Sequence, residues 1–131
     1  MRRSSIKWSL GYLSKLLPGK TEKDLRVSTL DSRIHFALNC GAKSCPPIAF
    51  YNPENLNTQL DVAATSYLTS EANYNSKTNV LHLPAILGWF RRDFGGKQKM
   101  IELLKSKQLL GSTVNPKIKF KKYDWTLYLD N

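Results

Sequence analysis

The sequence predicts an α+β fold, a small sheet of two to four strands packed with three to four helices. Apolar residues recur at helical spacing in four stretches, and short period-two alternations fall around residues 34–38, 79–83 and 117–120. The two kinds of segment do not alternate regularly, which argues against a βαβ array. At 131 residues, 41% hydrophobic and 23% charged, the chain suits a single domain that buries its core without staples. Within it, residues 1–30 read as an amino-terminal helix and connector, and residues 31–129 as the main body.

Ile6, Leu10, Leu13, Leu16 and Leu17 mark one face of a helix from about Ser5 to Leu17, which Pro18-Gly19 stops. Polar residues 21–26 connect it to the body. Ile34, Phe36 and Leu38 alternate with His35, Ala37 and Asn39, the pattern of a half-buried strand that delivers Cys40 to a tight loop ending at Pro46-Pro47. Asn52 caps and Pro53 opens the next helix, to about Ser70, with Leu56, Leu60, Ala63, Ala64, Tyr67 and Leu68 inward. A turn is expected at residues 73–76 and a strand at 79–83. Pro84 opens a helix carrying Ile86, Leu87, Trp89 and Phe90, and Gly95-Gly96 ends it. Residues 97–108 form a helix with Met100, Ile101, Leu103 and Leu104 inward. Ile118 and Phe120 alternate with lysines as a half-exposed strand, and Tyr123 to Leu129 continues as an extended aromatic segment.

Three motifs resemble one family. The run His35 to Pro47, with Asp31-Ser32-Arg33 before it and Tyr51-Asn52-Pro53-Glu54 after it, is similar to the hallmark of the family called domain of unknown function 547. Trp89-Phe90-Arg91-Arg92-Asp93-Phe94-Gly95 and Tyr123-Asp124-Trp125-Thr126-Leu127 resemble two further motifs of that family, in the same order. The resemblance covers roughly Asp31 to Leu127. It implies that the chain is the carboxyl-terminal part of such a domain, incomplete relative to the family. Ile6, Trp8, Leu10, Tyr12, Leu13 and Leu17 would then cover a face whose usual neighbour is absent, so self-association, a protein partner or marginal stability is expected.

The charge is uneven. Lys plus Arg number 20 against 10 Asp plus Glu, a formal charge of +10; Lys97 to Lys122 alone holds eight lysines and one acid, Glu102. An acidic partner fits this bias, although a solvated surface that keeps the fold soluble is the simpler explanation. Aromatic residues do not interleave with the lysines as a base-stacking platform would, so no specific nucleic acid is expected. Two cysteines are too few for a secreted disulfide framework, and no apolar run is long enough for a transmembrane segment. An intracellular, cytoplasmic protein is the expectation, with the acid-free start Arg2 to Trp8 allowing a mitochondrial presequence.

Chemistry concentrates between His35 and Pro47. In the leading assignment Cys45 is a nucleophile with Lys43 favouring its thiolate, His35 is the base, and Asn39 or Asp124 orients it. That set would make a thiol-dependent hydrolase or transferase; the competing class is a non-catalytic interaction module with a basic surface. Cys40 and Cys45 would alternatively cycle between dithiol and disulfide, although their spacing is not Cys-x-x-Cys. His35, Cys40, Cys45 and His82 do not match zinc-ligand intervals, so no metal or cofactor is expected. Asp93-Phe94-Gly95 lacks the other protein-kinase motifs and reads as a helix end, with Phe94 in the core.

Overall fold

A computed structural model describes residues 29–127. The helix expected at residues 5–17 lies outside the described residues, as does the chain beyond Leu127. From Asp31 onward the described residues belong to one compact unit.

Its centre is a three-stranded sheet in the order β1-β2-β3, with β1 Asn73–Asn75, β2 Val80–Leu83 and β3 Lys117–Phe120. The middle strand, Val-Leu-His-Leu, is the most apolar of the three, and its Leu81 and Leu83 are fully buried. It pairs antiparallel with β1, Tyr74 opposite Leu81, and parallel with β3, Leu83 opposite Phe120. The turn expected at residues 73–76 falls instead at 76–79. Asn79 takes a left-handed φ of 51°, which asparagine tolerates, so Asn73–Asn75 is free to pair as a strand.

Among the described residues three α-helices accompany the sheet: α1 Leu56–Glu71, α2 Ala85–Trp89 and α3 Gly96–Ser106. Asn52 caps the 3₁₀ turn Pro53–Asn55 that leads into α1, its side chain accepting the Asn55 N–H at 3.0 Å. Leu60, Ala64, Tyr67 and Leu68 form the buried face of α1, whereas Leu56 is exposed. Pro84 precedes α2, and after it Gly95 and Gly96 both adopt positive φ before α3 buries Met100, Ile101 and Leu104. These residues join Leu68, Leu81, Leu83, Leu87 and Phe94 in one core, each buried leucine contributing about 1.5–3 kcal/mol relative to exposure.

The strand expected at Ile34–Leu38 is a 3₁₀ helix, Ser32–Phe36. Local hydrogen bonding overrides the alternation: the Asp31 carboxylate accepts the Arg33 N–H at 2.9 Å and also grips the Arg33 guanidinium at 2.6 Å. That cap turns the chain before it can extend. As a result the neighbours His35 and Phe36 are both buried, while Ile34 and Leu38 face solvent. Phe36 packs on Tyr67 and Phe94, with ring centroids 5.7 and 5.5 Å away, which fixes the turn against α1.

Candidate functional site

The turn Ser32–Phe36 sends the chain back across α1, and residues 39–47 form a braced loop. Asn39 spans it from within, donating from Nδ2 to the Pro46 carbonyl at 2.5 Å and accepting the Gly41 N–H on Oδ1 at 2.6 Å. Gly41 has φ +83°, a conformation that suits glycine, and a turn closes as Cys45 N–H donates to the Ala42 carbonyl at 2.9 Å. Tyr67 on α1 donates its hydroxyl to the Ser44 carbonyl at 2.8 Å. On the other side the segment Tyr123–Leu127 pairs with the loop: Lys43 N–H donates to the Thr126 carbonyl at 2.8 Å, and Asp124 N–H to Ser44 Oγ at 2.8 Å. Ala42 bridges Leu127 in antiparallel sense.

This bracing brings the two cysteines together as free thiols, Sγ to Sγ 2.6 Å. The Cys40 N–H donates to Cys45 Sγ at 3.0 Å, and the Tyr123 hydroxyl reaches both sulfurs, 3.0 Å from Cys45 and 3.4 Å from Cys40. Cys40 is exposed and Cys45 partly buried. Hydrogen bonds from Cys45, then from Tyr123, then from the Ala42 backbone, stabilise a thiolate and pull the Cys40 thiol down to about 7. Burial, followed by its bonds to the two sulfurs, pushes Tyr123 ionisation upward, so the phenol remains a donor at neutral pH. A cavity of about 490 Å³ opens beside Cys45, bordered by Asn39, Lys43, Pro46 and Tyr67.

The other residues singled out in the sequence lie differently. His35 is buried; its Nε2 lies 2.9 Å from Asp93 Oδ2, and its ring stacks on Phe90 at 4.1 Å with 5° between planes. The hydrogen-bond partners of Cys45 Sγ are Cys40 and Tyr123, and His35 is not among them. Asp124 is exposed, and its carboxylate accepts the Thr126 N–H at 2.9 Å; that bond, with lesser help from Lys43, lowers its pKa. Asn39 serves the loop backbone. His82 lies in β2 opposite Asn73, and among the described residues no group of three or more His, Cys, Asp or Glu is placed to hold a metal ion. The lysine-rich segment is partly neutralised, with Lys99 paired to Glu102, Lys107 to Asp61 and Lys121 to Glu71.

Two partners were not anticipated. The sequence places Asp93 at a helix end and Tyr123 in an extended aromatic segment, and neither reading supplies these contacts. The signal for Tyr123 was its place in a Tyr-Asp-Trp motif beside no other chemistry of its own.

The fold and the loop define a small α+β domain with a paired-thiol site. The chain belongs to the family described as Protein of unknown function, DUF547, whose model matches residues 2–68. The match takes in the whole cysteine loop and most of α1. It also begins far upstream of Asp31 and stops before Asp93, so the expectation of a carboxyl-terminal part matching from Asp31 to Leu127 is corrected: the match lies in the amino-terminal half of this chain. No curated protein and no solved structure matches the chain. Among the described residues no helix is long and apolar enough to cross a membrane.

Proposed function

We propose that Cys40 and Cys45 form a thiol centre for thiol–disulfide exchange, a reading carried by their 2.6 Å contact beneath one shared Tyr123 hydroxyl. Such exchange needs a thiolate and a neighbouring thiol, and no histidine. A thiol with a pKa near ambient pH combines adequate ionisation with adequate nucleophilicity, which is where Cys40 sits. The exposed Cys40 thiolate attacks one sulfur of a substrate disulfide. A Cys40–substrate S–S bond forms, the substrate S–S bond breaks, and the departing thiolate takes a proton from solvent. Cys45 then loses its proton to solvent and attacks Cys40 Sγ, so the second substrate sulfur leaves with the electron pair. The substrate disulfide gains two electrons and becomes two thiols, while the protein dithiol becomes a disulfide. A small thiol reductant restores it. Tyr123 donates a hydrogen bond to whichever sulfur carries the charge. In a reducing compartment such as the cytoplasm the resting form would be the dithiol.

The acyl- or amide-transfer form of the thiol reading, with Cys45 as nucleophile, draws support from the cavity beside Cys45. It would have to recruit His35 away from Asp93 or use another base. A non-catalytic role as a docking module for an acidic protein has one observation in its favour: Lys117 and Lys119 are exposed on β3, a strand at the edge of the sheet. Binding to an acidic peptide that weakens steeply with salt would support that reading, and salt-independent binding would count against it.

The exchange reading is tested by equilibrating the reduced protein in buffers of increasing oxidised-to-reduced glutathione ratio and measuring the intact mass. The expected product has lost two hydrogens and carries a Cys40–Cys45 disulfide. Cys45→Ser should instead accumulate a mixed disulfide at Cys40. Independent glutathione adducts on both cysteines of the native chain, with no internal disulfide, would rule the reading out.

A further inference from the structure

Beside the thiols lies an aromatic surface that the fold leaves open. Trp125 is 66% exposed and Trp89 is 50% exposed, and what sets them apart from other exposed apolar side chains such as Phe50 is that they stack on each other beside the sulfurs. The two indoles stack, with ring centroids 5.6 Å apart and planes within 19°. Tyr123 closes the group, 4.7 Å from Trp89 and 4.5 Å from Trp125, and the hydroxyl of this same Tyr123 touches both sulfurs. The surface therefore runs without a gap from the exposed indoles to the reacting atoms.

Close packing and backbone pairing hold it in place. Trp89 ends α2, and the preceding Gly88 lets the Phe120 ring of β3 approach so closely that an added Cβ would stand 3.0 Å from it. Tyr123 and Trp125 are two residues apart in an extended segment, which sets their side chains toward one side. The intervening backbone is used on its other edge, where the Asp124 and Thr126 carbonyls accept from Ser44 and Lys43. Among the described residues the Trp125 N–H and C=O make no hydrogen bond. An extended strand with one edge paired to the cysteine loop and a free donor and acceptor on the next residue fits another extended chain, because main-chain bonds supply affinity and side-chain contacts supply selectivity.

We propose that Trp89, Tyr123 and Trp125 form a docking platform for an extended polypeptide substrate carrying a cysteine disulfide, in which an apolar or aromatic side chain next to that cysteine packs on the indoles. This rests on the exchange reading above and names its substrate class. Stacking one aromatic side chain on such a surface favours reaction by roughly 2- to 10-fold.

The test compares two substrates on the full chain, the symmetrical disulfides of acetyl-Phe-Cys-amide and acetyl-Gly-Cys-amide, by the rate at which reduced protein loses its thiols. The native chain is expected to prefer the phenylalanine peptide by about 5-fold. Trp125→Ala should bring that ratio close to one, and Trp125→Phe should keep part of it, with circular dichroism confirming that both variants fold. Equal rates for the two peptides on the native chain would overturn the platform and leave the exchange reading standing. A preference that survives in Trp125→Ala would overturn it as well. Failure to react with either peptide would sink the exchange reading, and the platform with it.

Discussion

His35 Nε2 and Asp93 Oδ2 meet at 2.9 Å across 58 residues of sequence, and the pair ties the 3₁₀ turn before the cysteine loop to the chain just after α2. The imidazole stacks on Phe90 and meets the tilted ring of Phe94, so the polar contact sits at a buried aromatic cluster where bulk water does not readily reach.

The first prediction concerns this pair. Asp93→Ala should cost about 1–3 kcal/mol, because it removes a carboxylate that a buried imidazole meets at 2.9 Å, and Asp93→Asn should cost less, since the amide still offers an oxygen. Urea unfolding measures both. If His35 acts through the fold alone, Asp93→Asn should leave the alkylation rate of Cys40 unchanged at temperatures where the variant is folded. A rate that fell together with this substitution would return His35 to the thiol chemistry.

The pH dependence of Cys40 follows from the direction of its shift. Its thiol ionises at about 7, below its ordinary value, so iodoacetamide labelling should reach half its plateau rate near pH 7. Tyr123→Phe removes a donor to the thiolate, and the half-point should move to higher pH. A group whose pKa is depressed on folding contributes stability that is present above its unfolded pKa and fades as pH falls through the folded value. Thermal stability of the reduced chain should therefore gain from this group as pH rises from about 7 to about 9, and Cys40→Ser should remove that increment.

How far the sequence reveals these features depends on the range of the interaction. The helices are largely legible because capping and periodicity are local: Asn52 before Pro53 and Pro84 before Ala85 stand where the structure uses them, whereas the helix opened by Pro84 already ends at Trp89, ahead of the Gly95-Gly96 expected to stop it. The cysteine loop is legible as a rigid punctuated turn for the same reason. Ser32–Phe36 misleads because Ile34, Phe36 and Leu38 alternate by coincidence, while the deciding signal is the Asp31 cap two residues before Arg33. The chemistry of the site is less legible. Tyr123 reaches Cys45 across 78 residues and His35 reaches Asp93 across 58, and no spacing rule reports contacts made by the packing of separate elements. The proximity of the two cysteines lies between these cases, since five residues permit contact and only the Asn39 brace and Gly41 turn enforce it.

Surface ion pairs give a prediction of small effect. Lys121 meets Glu71 at 3.0 Å, joining the end of β3 to α1, but both side chains are about a third exposed. Glu71→Gln should change stability by less than about 1 kcal/mol. The same substitution removes a carboxylate from the edge of the cavity beside Cys45. Comparing labelling of Cys45 by a neutral and a negatively charged maleimide therefore separates its electrostatic effect from its structural one. The charged reagent should gain relative to the neutral one in the variant, and equal gains for both would mean that the loop itself had moved.

The last prediction isolates the loop backbone. Gly41 has φ +83°, and an added Cβ would meet only the Leu127 side chain, at an ordinary 3.9 Å. Gly41→Ala should therefore cost roughly 1–2 kcal/mol through backbone strain alone, with no clash. For a unit near 100 residues that is a fall of several degrees in Tm. Gly96 has nearly the same φ, +84°, with open space around its Cβ position, so Gly96→Ala should lower Tm by a similar amount. The two variants should part company at the thiols. Gly41 follows Cys40 directly and donates its N–H to Asn39, so relaxing its backbone separates Cys40 from Cys45 and Tyr123 and raises the half-point of Cys40 labelling above about 7. Gly96 is the first residue of α3, away from the loop in sequence, and its variant should label like the native chain. Equal labelling profiles in both variants would mean that the Gly41 turn does not hold the thiols together.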